Sequence, residues 1–272
     1  MGRTKQQTLS QGVVIFAFNN EATDYIAMAA WSAKNIRRHL DLPVAVVTDA
    51  PEVAAKYTFE HIIATVADTG GSRYFEDYGT TVTWHNAGRI TAYELSPFDQ
   101  TLVLDADYVV ASDALLDVLK IPQQFAAFRD SFDVANLTNL DTFGAYHMPM
   151  WWATVMMFRR GNISQFIFDS MQMIRNNWQH YRDLYGIHQS NYRNDHALSI
   201  ALGLVAGAEQ SVHEIYGSMV NIMPEPRLTW IEQDHYEVEY INADGQLKTM
   251  SWKGMDFHAM GKKHLEAIVA AH

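Results

Sequence analysis

Thr101-Leu102-Val103-Leu104-Asp105-Ala106-Asp107-Tyr108-Val109-Val110 is the stretch whose reading decides the fold. An apolar run of strand length ends in two aspartates one residue apart, and a second apolar run follows. A continuous apolar run reads as a strand buried on both faces of a parallel sheet. Open α/β sheets take their ligands at the carboxyl ends of such strands. Side chains at i and i+2 of an extended chain point the same way, so Asp105 and Asp107 are expected to grip one hard divalent cation through oxygen. Such a cation can then hold a diphosphate. The same pair also fits a solvated strand end or turn. A calcium loop needs further oxygen ligands and a glycine at its sixth position, whereas Tyr108, Val109 and Val110 follow here.

The chain has 272 residues, 48% of them hydrophobic and 19% charged, enough for a full core as one large domain or a domain with a subdomain. Twenty basic against 31 acidic residues give a formal charge of −11. That balance disfavours unspecific binding to nucleic acid or anionic lipid and leaves room for a metal. There is no cysteine, so thiolate metal sites and disulfides are excluded, and the compartment is expected to be the cytosol. Met1 to Ser10 is polar, and no apolar stretch approaches membrane-spanning length. The expectation is a soluble protein.

Strands and helices alternate through the first half. Gly12 to Phe18 and Pro43 to Asp49 read as buried strands, with a helical pattern from Asp24 to Leu40 between them. Phe59 to Ala64 is a candidate third strand, Ala67 to Thr83 a polar loop, and Asn86 to Leu95 a helix stopped by Ser96-Pro97. The Thr101 strand closes a mostly parallel sheet with helices on both faces. In the second half, residues 130–152 read as a long loop, Ala153 to Phe158 as a strand and Ile163 to Tyr181 as one amphipathic helix. A helix capped by Asn194 or Asp195 runs through Leu202. Asn242-Ala-Asp-Gly245 marks a β-hairpin between Tyr236–Ile241 and Gln246–Trp252, and a C-terminal helix follows. No internal repeat or linker marks a boundary. Residues 1–272 are read as one domain, in two halves, 1–110 and 111–272.

The sequence AYELSPFDQTLVLDAD, Ala92 to Asp107, resembles the Asp-x-Asp region of GT-A (Rossmann-like) glycosyltransferases, above all the glycogenin-like retaining group and related bacterial and bacteriophage proteins. Four further pieces occur in the family's order: Phe18-Asn19-Asn20 with Tyr25, Arg89 before the motif, Asn194-Asp195 opening a late helix, and His258-Ala-Met-Gly261-Lys262-Lys263.

The resemblance implies a metal-dependent enzyme that moves a sugar from a nucleotide-diphosphate sugar to a hydroxyl, with retention. It implies that Ala17, Phe18, Asn19, Tyr25 and Asp49 hold the nucleoside, that Arg89 faces donor phosphate or sugar, and that Ala106 lies between the two metal-binding aspartates. His258 would be the third ligand of manganese or magnesium, imidazole being a donor that manganese accepts. Gly261 would let the backbone approach the diphosphate. Lys262 or Lys263 would neutralise phosphate, and the family's spacing favours Lys263 or its successor His264. Asp195 would orient sugar hydroxyls and also fits a helix N-cap. Trp151, Trp152 and Thr154 stand where the family contacts sugar and acceptor. His85, His147, His188, His196 and His213 carry no ligand spacing and read as structural.

Two other classes fit less well. A sugar nucleotidyltransferase wants a glycine-rich basic loop after its first strand, and Phe18 to Thr23 is neither glycine-rich nor basic. A non-catalytic carbohydrate-binding protein has no use for Asp105, Asp107 and His258 together. The acceptor stays open among saccharide, lipid-linked glycan, protein hydroxyl and a hydroxymethylated base in phage DNA. Arg159-Arg160, Arg175 and Arg182 are the candidates for a basic strip that DNA would need.

Overall fold

A computed structural model describes residues 9–68, 70–75, 78–85, 87–136, 138, 141–205 and 212–272. Seven strands form the central sheet, in the order Val212–Glu214, Phe125–Phe128, Trp152–Arg159, Gln100–Asp105, Gln11–Phe16, Val44–Thr48, His61–Ala64. All its neighbours pair parallel except Trp152–Arg159, which runs antiparallel to both strands beside it. This is the mostly parallel α/β sheet expected from the apolar runs. Leu102, Val103 and Leu104 are fully buried, as a strand covered on both faces requires. His61–Ala64 lies at the edge, which is why its side chains are largely exposed.

Alternation along the strands separates two layers of core. Val13, Ile15, Val44 and Val46 pack with Ile26, Met28 and Ile36 of the helix Tyr25–Leu40. That helix starts where Asp24 accepts a hydrogen bond from Ala27 N at 3.0 Å, a side-chain cap of the usual kind. Val14, Ala45 and Val47 face the other way, against Phe18 and Phe98. On that face Phe168 of the helix Asn162–Asn176 meets Phe158 edge-on at 5.1 Å.

The chain leaves the first sheet at Asp105 and enters a second one at Tyr108. This sheet has four short strands, in the order Tyr108–Val109, Phe257–Ala259, Met219–Ile222, Ser131–Asp133. Outside it, Arg227–Glu232 joins the hairpin His235–Ile241 and Leu247–Lys253 in a three-stranded meander. The hairpin was legible in Asn242-Ala-Asp-Gly245; its third strand was not. The C-terminal helix Lys262–Ala271 ends the chain.

Several local expectations need correction. Ala67 to Thr83 is not all loop, because Ser72–Phe75 and Thr80–Thr83 pair as an antiparallel ribbon. The β-branched run Thr80 to Thr83 was its signal. Within the segment read as a helix from Asn86, residue 86 lies outside the described residues, and Gly88–Thr91 is a 3-10 turn before a single α-turn, Ala92–Leu95. Residues 130–152 contain three short strands, Ser131–Asp133, Thr142–Phe143 and Met148–Pro149. The helix read through Tyr181 breaks at Asn177, so that Asn162–Asn176 and Trp178–Leu184 are separate. Asn177 bonds Met173 O through its own side chain at 2.9 Å, the competition with helix that makes asparagine a breaker. Among the described residues no helix is long and apolar enough to cross a membrane.

Candidate active site

Asp105 ends the central strand, Ala106 and Asp107 form the turn between the two sheets, and His258 stands opposite Tyr108 in the second sheet. The aspartates therefore do not share a face of one extended strand, as their i, i+2 spacing had suggested. The change of sheet brings them together. Ala259 N bonds Asp107 O at 3.0 Å and stitches the turn to the histidine strand. One carboxylate oxygen from each aspartate and one imidazole nitrogen lie within 4.8 Å of one another. That span suits a cation with ligand bonds of roughly 2.1–2.4 Å. Two carboxylates and an imidazole are a donor set for magnesium or manganese, with imidazole favouring manganese. Among the described residues this is the one such cluster of three.

Cations flank the cluster. Arg89 pairs with Asp105 and donates to Ala153 O at 2.9 Å; Lys262 pairs with Asp107 and bonds Ala259 O at 3.3 Å. Burial pushes the Asp105 carboxyl above its ordinary range, against the opposing pull of Arg89 and His258. Burial likewise lowers His258, which favours the neutral imidazole that a metal requires. Its Nε2 lies 3.4 Å from Asp107 Oδ2 and 3.9 Å from Asp105 Oδ2.

Asp195 lies in the first turn of the helix Asn194–Leu204, but the cap residue is Arg193 and neither Asn194 nor Asp195 caps by its side chain. Asp195 instead accepts from Ala153 N and from Arg193 Nη2, each at 3.0 Å. Burial would raise its carboxyl, yet Arg193, Arg89 and the Ala153 N–H outweigh that and hold it below the usual range. The Ala153 main chain is thus gripped by Asp195 at N–H and by Arg89 at C=O, beside a register shift between Trp152 and Met156. Irregular pairing of this kind re-aims side chains next to sites, and Trp152 and Thr154 line the cavity above the cluster.

The cavity holds about 340 Å³, at the small end of ligand pockets. Phe18, Tyr25, Arg89, Asp105, Ala106, Asp107, Trp152, Thr154, Asp195, His258 and Lys262 all line it. Other expected residues do not. Ala17 is fully buried, Asn19 accepts from Ile26 N at 2.9 Å, and Asp49 and Lys263 are exposed and do not line it. Between the lysines left open by the sequence, Lys262 enters. Gly261 is buried against Pro224, where an added Cβ would stand 3.2 Å from Pro224 O. A contact that tight favours glycine there. Trp151 does not line the cavity; its backbone N–H donates to Ser199 Oγ at 2.7 Å.

Sequence reading missed Arg193, Arg73 and Trp84, which also line the cavity. Arg73 and Trp84 lay in or beside a segment read as loop; Arg193 had only its neighbour Asn194-Asp195 to mark it. His85 lines the cavity as well, whereas His196 is a core residue stacked on Phe143 at 4.5 Å. The four arginines offered for a basic strip all have partners within the chain. Arg159 bonds the carbonyls of Leu119 and Gln123, Arg160 those of Tyr93 and Ser96, and Arg182 that of Ile187, while Arg175 pairs with Asp68.

Fold and cluster together describe an α/β domain with a candidate divalent-cation site at the carboxyl end of a central strand. Among solved structures, the chain is similar to the glycosyltransferase GlyE of Streptococcus pneumoniae TIGR4, at 14% identity and TM-score 0.43 over 75% of this chain and 45% of that one. It is similar to the galactosyltransferase LgtC, in complex with donor and acceptor sugar analogues, at 18% and 0.46 over 78% of this chain and 76% of that one. The bifunctional IspDF of Campylobacter jejuni matches at 10% and 0.42 over 77% of this chain and 50% of that one. The chain spans less than half the length of GlyE. No protein-family model and no curated protein matches the sequence.

Proposed function

We propose that this chain is a GT-A-type glycosyltransferase that moves a sugar from a nucleotide-diphosphate sugar to a hydroxyl acceptor. The observation that carries the reading is the convergence of Asp105, Asp107 and His258 below a cavity flanked by Arg89 and Lys262. Breaking a sugar–phosphate bond leaves negative charge on the departing diphosphate, so a site for that chemistry needs cations where the charge develops. A bound manganese or magnesium ion would supply the largest share. Arg89 and Lys262 would turn from Asp105 and Asp107 toward the phosphates as the ion takes over the carboxylates. Asp195, ionised at neutral pH, would keep Arg193 and the Ala153 peptide in place and orient a sugar hydroxyl. Phe18, Tyr25 and Trp152 would exclude water and offer faces to base and sugar.

We assign donor binding mainly to residues 1–110 and acceptor binding to 111–272, with His258 and Lys262 reaching back to the donor. Transfer is proposed to retain the anomeric configuration, on the strength of the His258 resemblance. We propose a saccharide alcohol as acceptor over a modified DNA base, because the formal charge of −11 opposes DNA and, of Arg159, Arg160, Arg175 and Arg182, each already bonds a carbonyl or Asp68. The test is a panel of nucleotide sugars with oligosaccharides and hydroxymethylcytosine DNA, with manganese and with chelator. Manganese-dependent release of nucleoside diphosphate with sugar appearing on an oligosaccharide supports the proposal. Pyrophosphate released from a nucleoside triphosphate and a sugar 1-phosphate, with no transfer from any nucleotide sugar, would instead make the protein a nucleotidyltransferase. NMR of the first product reads the anomeric outcome.

A further inference from the structure

Tyr108, His258, Asn221 and Asp133 form one row across the four-stranded sheet, each in register with the next. Register partners on adjacent strands project from one face. Asn221 is fully buried, and its strand is paired on both sides. Its Oδ1 lies 3.0 Å from His258 Nδ1. The carboxylate of Asp133, next along the row, accepts instead from Ala135 N and Thr138 N, each at 3.1 Å. Asn221 Nδ2 makes no hydrogen bond although it is buried. An amide held at a cost to one of its ends points to a use for the other.

A neutral imidazole carries one proton, and the partner of one nitrogen decides the state of the other. With Nδ1–H donated to Asn221 Oδ1, Nε2 presents a lone pair toward the two carboxylates. Three lone-pair donors then converge, with Arg89 and Lys262 balancing the two carboxylates where a divalent cation would take their place. We infer that Asn221 is a positioning residue, holding His258 in the tautomer and ring orientation that offer Nε2 to the cation. This rests on the metal-dependent reading of the site.

The test measures the affinity of the whole chain for manganese alone, by electron paramagnetic resonance of the free ion. Asn221→Leu removes the acceptor, and its Kd should rise roughly ten- to hundredfold, as for other outer partners of ligating histidines. Asn221→Asp keeps an acceptor and has no donor; it should bind as tightly as wild type or tighter. Unchanged affinity in Asn221→Leu, or equal losses in both variants, would overturn the inference. If Asn221→Leu fails to fold by circular dichroism, Asn221→Asp decides alone: a loss there overturns the inference and retained affinity supports it. Imidazole ¹⁵N spectra of the magnesium-loaded protein, with His258 assigned by its absence in His258→Gln, should show the proton on Nδ1; a proton on Nε2 overturns the inference. Asp107→Asn serves as the control for the site itself. Wild-type affinity in that variant would refute the metal reading, whereas manganese lost there and kept in Asn221→Leu refutes only the role of Asn221.

Discussion

At one end of the cavity Asp105 and His258 stand on strands that are paired on both sides, with Asp107 in the turn that joins their sheets. At the other end Arg73, Tyr74 and Phe75 stand on a two-stranded ribbon whose side chains are mostly exposed. The ribbon is held by side chains rather than by a neighbouring strand: Asn191 bonds Ser72 O at 2.7 Å, Tyr78 bonds Glu266 on the C-terminal helix, and Glu21 accepts from Thr83 N and Oγ1 at 2.9 and 2.8 Å. An isolated ribbon is marginal by itself, whereas buried, doubly paired strands hold side chains to fixed positions. On the proposed function, the difference would give charge chemistry to the rigid end and ligand fit to the ribbon.

The largest effect should come from the rigid end. Asp105→Asn and Asp107→Asn are expected to lower sugar transfer by roughly a thousandfold, the scale of losing preorganised charge stabilisation, while circular dichroism stays native. Transfer by Asp107→Asn at the wild-type rate would break the comparison outright. Lys262→Ala should lose about tenfold to a hundredfold in kcat/KM at saturating manganese, and Lys263→Ala much less, because Lys263 is exposed outside the cavity. Equal losses in the two would return the phosphate to the choice the sequence left open.

Between the two ends in magnitude lies a stability effect beside the site. His196 is buried between Phe143 and Trp178, and burial lowers its pKa from 6.5 to about 4. The unfolded chain therefore binds the proton first, and native stability falls as pH drops from about 6.5 toward 4, by about 3 kcal/mol in all. His196→Phe should flatten that part of the profile, read by urea unfolding at pH 5 and pH 7. A variant as pH-sensitive as wild type would place the titration elsewhere. The smallest effect is expected on the ribbon: Arg73→Ala should raise KM by roughly threefold with kcat nearly unchanged, the mark of lost uniform binding. A fall in kcat as large as that expected for Lys262→Ala would erase the distinction between the ends.

Legibility followed the same division. Thr101 to Leu104 and Val44 to Thr48 could be read because both faces of these strands are buried and every residue is apolar or β-branched. Asp24 to Leu40 showed both its period and its cap. The second sheet is made of strands two to four residues long, too short for period or propensity to register. Asn221 lies in one of them and was overlooked. Asp195 was found, yet its bond to Ala153 N joins elements 42 residues apart and has no local signature.

The sequence by itself determined the strand–helix alternation, the Asp105-x-Asp107 pair and the residue types able to bind a cation, since these follow from hydrophobic period and side-chain chemistry along a short length of chain. Tertiary structure alone decided that Asp107 lies in a turn between two sheets, that Lys262 and not Lys263 enters the cavity, and that Asn221 touches His258. Those outcomes depend on which distant strands pair and in what register. Register is set by burial summed over a whole sheet, a property of the folded chain that no single segment carries.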